Sequence, residues 1–105
     1  MTDKLIFMTW EMFFELLSRV DTPGEVIFGV PRGGMIAAGF LKKAKITHDP
    51  QLATMILDDI VDSGKTRDHY RGLCPHTPFW GLIDKPAGIP PEYKDKWVVF
   101  PWERE

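Results

Sequence analysis

The sequence holds a single cysteine, Cys74, so no internal disulfide can form, which fits a reducing compartment. It also lacks any apolar run approaching the roughly 20 residues that a bilayer-spanning helix needs. The apolar start, "MTDKLIFMTWEMFFELL", is interrupted by Glu11 and Glu15, and no small-residue cleavage site follows. A cytoplasmic protein with no membrane attachment is expected. Positive charge is not in surplus: 13 Lys and Arg stand against 15 Asp and Glu, for a net charge of -2, which leaves no basic field for nucleic acid. His48, His69 and His76 lack metal-ligand spacing and are expected on the surface or in packing roles. Cys74, before Pro75, has no visible partner base for nucleophilic work and is expected as a buried structural thiol. There is no internal repeat, linker or low-complexity segment.

What remains is an ordinary globular composition, 44% hydrophobic and 27% charged over 105 residues, enough for one core and one small domain spanning 1–105. Trp10, Phe13, Phe14, Leu17 and Val20 recur at helical spacing and predict a core-facing helix from about Thr9 to Arg19. "DTPG" is a turn, and "EVIFGV" a buried strand ending near Val30. After the tight loop "PRGG", a helix is expected from Met35 through "MIAAGFLKKA", with Lys42 and Lys43 near its carboxyl end. "KITHDPQLA" reads as a polar connection. "TMILDD" is a second strand, "TRDHYRGL" a short helix capped by Thr66, "PFWGLID" a third strand ending at Asp84, and "WVVFPW" a last short strand. Strands alternating with helices predict an α/β fold with three layers, a mostly parallel sheet and right-handed crossovers.

The segment "ILDDIVDSGKT", Ile56 to Thr66, carries the chemistry. In an open parallel sheet, ligands bind beyond the carboxyl ends of strands, where the first amides of the following helices lack backbone partners. Asp62, Ser63, Gly64, Lys65 and Thr66 can aim such amides and a hydroxyl at one phosphate, with Gly64 supplying the unusual dihedral. Asp58 and Asp59, just upstream, suit hydroxyls or a hydrated Mg2+. A sugar phosphate meets both requirements. "GKT" also ends like a nucleotide-kinase P-loop, but that motif needs a glycine where Asp59 stands. From spacing alone a second reading stays open, in which the acids end a strand and Thr66 only caps a helix. Two buried neighbouring acids would then need compensation.

The same segment resembles the phosphoribosyl pyrophosphate (PRPP) signature of type I phosphoribosyltransferases: aliphatics, two acids, two aliphatics, an acid, then a small hydroxyl residue, Gly, any residue and Thr. "GVPRGG", Gly29 to Gly34, resembles the family's pyrophosphate-binding loop, in which an often cis peptide bond precedes the Arg-like position. "LIDKPAGIPPEYKDKWVVFPWE" and "TWEMF" resemble the bacterial xanthine-guanine (6-oxopurine) branch. The resemblance covers roughly four-fifths of the chain and implies a minimal type I phosphoribosyltransferase (Rossmann-like) fold. By that resemblance Arg32, Gly33 and Gly34 hold the leaving diphosphate with Mg2+, and Asp58 and Asp59 hold the ribose hydroxyls, with Asp58 reaching the metal directly or through water. Ser63, Gly64, Lys65 and Thr66 hold the 5'-phosphate, and Asp62 faces purine N7 as the proton handler. Lys85 donates to the 6-oxo group, Trp97 stacks on the ring, and Val98 meets the base edge through its main chain. Read physically, a cation at the 6-oxo group selects oxopurines over adenine, and an indole face provides stacking.

The chain departs from the family between the second helix and the PRPP strand. Family members carry there an additional strand and a long mobile loop with a Ser-Tyr pair; here "AKITHDPQLA" fills the interval, and no Ser-Tyr occurs in the sequence. Two functions follow as expectations. One is transfer of phosphoribosyl from PRPP to guanine, xanthine or hypoxanthine with release of pyrophosphate. The other is a PRPP- or purine-nucleotide-binding regulator without turnover. A homodimer is expected, because so small a sheet leaves Trp80 and Trp102 hard to bury.

Overall fold

The computed structural model describes residues 4–103. Four strands form one parallel sheet: β2 (Val26–Gly29), β3 (Lys45–Ile46), β4 (Met55–Val61) and β5 (Phe79–Asp84), in the order β3-β2-β4-β5. Ile27 lies opposite Met55 and Gly29 opposite Leu57, while Asp58 pairs with Gly81 and Val61 with Asp84. All four carboxyl ends therefore open toward the same edge, where ligands bind in such sheets. A separate parallel pair, β1 (Lys4–Phe7) with β6 (Lys96–Val99), brings the two ends of the chain together.

Alternation along the central strands sorts the core into two faces. Ile27, Met55 and Leu57 point to one side, into a cluster with Phe13, Leu16 and Leu17 of α1 (Trp10–Leu17) and Ala37 and Ala38 of α2 (Gly33–Gly39). Phe28 and Ile56 point to the other, against Cys74 and Tyr70 at and beside α3 (Lys65–Leu73). Helix, sheet and helix make three layers, so the expected α/β, Rossmann-like architecture is what forms. Cys74 is buried. Among the described residues no helix is long and apolar enough to cross a membrane.

Several local expectations need correction. α1 begins after Thr9, whose hydroxyl accepts the Met12 amide at 3.1 Å. Only part of its predicted stripe is core: Phe13, Leu17 and Val20 are buried, whereas Trp10 and Phe14 stay exposed. The layer is too narrow to cover them, and they gather instead with Phe40 at centroid distances of 5.1–5.9 Å. Trp102, expected to be hard to bury, is partly covered by Phe13 and stacks on Phe100 at 4.9 Å. α2 starts two residues earlier than Met35 and ends at Gly39, so Lys42 and Lys43 lie beyond it. The polar connection holds the two-residue β3 and a 3-10 turn, Pro50–Leu52. β4 runs on to Val61, placing Asp58 and Asp59 within the strand rather than at its tip. β1 was not expected at all.

α3 is capped by Gly64, not by Thr66. Gly64 has φ of +93°, a conformation that L side chains rarely adopt. The chain must turn sharply from β4 into α3, and that requirement outranks the capping preference of threonine.

Candidate functional site

Three glycines let α2 press against the strand that carries the acids. A Cβ on Gly29 would strike the Gly34 carbonyl, one on Gly33 the Asp59 carboxylate, and one on Gly34 the Leu57 carbonyl, with the Asp58 Cα only 3.1 Å away. "GVPRGG" is therefore glycine-rich because two backbones and a carboxylate converge there. The peptide bond from Pro31 to Arg32 is cis. Gly33 and Gly34 form the first turn of α2, where amides have no intrahelical partner. Arg32 is exposed just ahead of them and makes no capping bond.

Asp58 is the buried acid of the pair. Its carboxylate accepts the Asp59 amide at 2.8 Å, and the Asp59 carboxylate accepts the Ile60 amide at 2.8 Å. Burial, then a side-chain hydrogen bond with Asp59 and the charge of that neighbour, push the Asp58 carboxyl up to about 8. The compensation demanded by two adjacent acids is thus achieved in part by keeping a proton. Tyr70 lies below, its phenol pushed up by burial first and by the Asp58 charge second.

Beyond β4 lie two cavities. The first, about 100 Å3, is lined by Asp58, Ile60, Val61 and every residue from Asp62 to Arg67. The Ser63 hydroxyl accepts the Lys65 amide at 3.4 Å, and the Asp68 amide bonds back to Gly64 at 2.9 Å, closing the first turn of α3. The second, about 160 Å3, is lined by Asp59, Ile60, Asp62, Lys85, Trp97, Val98, Phe100 and Glu103. Ile60 and Asp62 belong to both, so the two hollows meet at one carboxylate.

The second cavity is built from elements distant in sequence. β5 delivers Lys85, whose amide bonds to the Val61 carbonyl at 2.9 Å. Its ammonium lies 3.6 Å from Asp62, with side-chain exposures of 12% and 66% respectively. Lys85 is therefore a wall of the site and not a solvated loop lysine. β6 supplies Val98, which is buried, and Trp97, which is 59% exposed. Glu103 accepts the Phe100 amide at 2.9 Å and closes the rim.

The sequence-predicted residues thus divide. Asp58, Asp62, Ser63, Gly64, Lys65 and Thr66 share the first cavity; Asp59, Asp62, Lys85, Trp97 and Val98 share the second. Gly33 and Gly34 abut the acids without lining either, and Arg32 lies outside both. Sequence reasoning missed Arg67, Phe100 and Glu103. Arg67 had a signal, since it lies three residues after the turn glycine and so within the first turn of the helix.

The parallel three-layer fold thus carries an acid pair on β4 and, beyond it, a loop-lined cavity and a second cavity walled in part by Trp97. No family model matches the chain. Over about half its length it is similar to xanthine-guanine phosphoribosyltransferases: that of Cereibacter sphaeroides at 39% identity over 56 residues, covering 47% of this chain and 34% of the relative, and that of Desulfotalea psychrophila at 33% over 58 residues, 49% and 36%. The match thus spans about a third of the length of these relatives.

Proposed function

We propose that the chain binds PRPP together with a 6-oxopurine base and transfers the phosphoribosyl group to the base, releasing pyrophosphate. The observation that carries this reading is the pair of cavities joined at Asp62, one walled by the loop from Asp62 to Arg67 and one by Lys85 and Trp97. A ligand with a phosphate at one end and a flat oxo-ring at the other fits such a pair. The relatives named xanthine-guanine phosphoribosyltransferase support it.

In the reaction a purine nitrogen forms a bond to the ribose anomeric carbon as the bond from that carbon to the diphosphate oxygen breaks. Positive charge grows on the sugar ring, and the electron pair leaves with the diphosphate. On this reading the loop Ser63 to Thr66 holds the 5'-phosphate, and Asp58 and Asp59 hold the ribose hydroxyls, fixing the sugar for attack. Arg32 and the first amides of α2 lie on the diphosphate side. Lys85 donates to the 6-oxo group, Trp97 stacks on the ring, and the Val98 main chain meets the base edge. Asp62 accepts the proton that the purine loses.

The acids also suit Mg2+. Their donor set is all oxygen, and a cation would stabilise the ionised form of a carboxyl that burial otherwise keeps protonated. Among the described residues no cluster of three or more metal-binding side chains occurs, so Asp58 and Asp59 would share the ion with substrate oxygens and water. When bound, Mg2+ would offset negative charge on the diphosphate.

Incubation with PRPP, Mg2+ and guanine, xanthine or hypoxanthine should yield the nucleotide. Asp62→Asn should lower turnover about tenfold, a modest loss because the carboxylate is exposed, while PRPP affinity changes little; equal losses in both would remove Asp62 from proton transfer. A second reading rests on the short interval between α2 and β4, which carries β3 and one 3-10 turn but no Ser-Tyr pair. Loops of that kind exclude water from reacting centres. Heat on PRPP addition without product from any of the three bases would favour a PRPP- or purine-nucleotide-binding regulator. A homodimer belongs to the same proposal, because Trp10, Phe14, Phe40 and Trp80 stay exposed; sedimentation as a monomer at high concentration would remove it.

A further inference from the structure

Arg67 lines the first cavity and is bonded to the residue that precedes the lysine of the second. It lines the first cavity from the opening turn of α3, and its Nη1 donates to the Asp84 carboxylate at 3.0 Å, with side-chain exposures of 17% and 24%. A Cβ built on Gly64 would meet its Nη2 at 3.5 Å, so the fork's other arm stands over the glycine that turns the phosphate loop. Its Nε is, among the described residues, the one buried side-chain nitrogen or oxygen with no hydrogen-bond partner.

Asp84 roots the turn that presents Lys85. Its second carboxylate oxygen accepts the Ala87 amide at 3.2 Å. Its main chain exchanges two hydrogen bonds with Ile89, at 2.7 and 3.0 Å. Lys85 follows directly, beside Asp62 and inside the second cavity. One guanidinium therefore spans from the phosphate loop to the base of the segment that aims the oxopurine-facing lysine. A guanidinium can do this because it has five donors in a rigid fork; an ammonium of the same charge cannot hold two partners in fixed directions.

We propose that Arg67 is a positioning residue that also faces the bound phosphate: its charge and the donors not engaged by Asp84 strengthen the phosphate cavity, while its grip on Asp84 fixes Lys85 in the base cavity. The inference rests on the reading under Proposed function and assigns to that site a residue outside its motif. Phosphate affinity then depends on the charge at position 67, and base affinity depends on the fork and on Asp84.

Calorimetry on the full chain with ribose 5-phosphate, inosine and inosine 5'-monophosphate separates these contributions, because the ligands carry the phosphate, the base, or both. Arg67→Gln should weaken ribose 5-phosphate about tenfold and the monophosphate about a hundredfold, as expected for losing one charge-assisted contact and one positioning contact. Arg67→Lys should recover ribose 5-phosphate affinity but leave inosine weak. Asp84→Asn should leave ribose 5-phosphate within about twofold and weaken inosine about fivefold. A merely structural staple would lower the melting temperature in all three variants without splitting the ligands in this way. If wild type binds the ligands and Arg67→Lys or Asp84→Asn weakens ribose 5-phosphate and inosine equally, the inference is wrong and the site reading stands. If wild type binds none of them, both fall together.

Discussion

Gly34→Ala should cost about 3–5 kcal/mol and lower the melting temperature by more than about 10 °C. The added carbon would strike the Leu57 carbonyl and lie against the Asp58 Cα. Neither can yield, because the Leu57 carbonyl already accepts the Val30 amide at 2.9 Å. Relief would have to come from lifting α2 off β2 and β4, which opens the buried cluster of Ala37, Ala38, Ile27 and Leu57. Gly39→Ala, in the same helix, meets nothing within 4 Å and should be neutral or stabilising by up to about 1 kcal/mol. Gly33→Ala falls between them. The atoms nearest its methyl belong to the Asp59 side chain, which can rotate, so the protein should fold but bind ribose 5-phosphate more weakly. Urea unfolding of the three variants checks the order; a Gly34→Ala protein as stable as wild type would mean that helix and strand are not in contact there.

Those contacts mark how far the sequence could be read. "ILDDIVDSGKT" was legible because one strand, one turn and one helix start are contiguous, and their residue types report on each other. Which strand faces which was not. Lys4 pairs with Lys96 and Leu5 with Trp97, a closure between opposite ends of the chain that no local pattern announces. The Arg67–Asp84 bridge likewise joins residues 17 apart, and nothing in "TRDHY" or "LIDKP" alone favours it over a solvated pair. α2 was expected from Met35 because two glycines are poor helix formers; close packing on β4 decides the matter instead, since only glycine fits. Trp10 and Phe14 fell at correct helical spacing and still emerged exposed. Periodicity says which residues share a face, and the width of the covering layer says how many of them are buried.

Asp58→Asn should stabilise the unliganded protein at pH 8 by several kcal/mol while impairing ribose binding. The wild-type carboxyl moves from an ordinary value of 3.8 to about 8 in the fold. Between those values the folded chain keeps a proton that the unfolded chain has released, so this carboxyl's contribution to wild-type stability is greatest below about pH 4 and declines as pH rises toward 8. An asparagine imitates the protonated acid: its oxygen can still accept the Asp59 amide, and its amide nitrogen can donate to the Asp59 carboxylate. It has nothing to ionise, so the decline across that window should flatten. Ligand binding should run the other way, because hydroxyls and cations need the ionised form. Ribose 5-phosphate affinity of the wild type should therefore rise from pH 6 to pH 8, and the variant should show no such rise. Unfolding curves and calorimetry at pH 5, 6.5 and 8 give both readouts. An unchanged pH slope in Asp58→Asn would mean that the buried proton resides elsewhere, and a variant that binds ribose 5-phosphate as wild type does would remove this acid from the sugar.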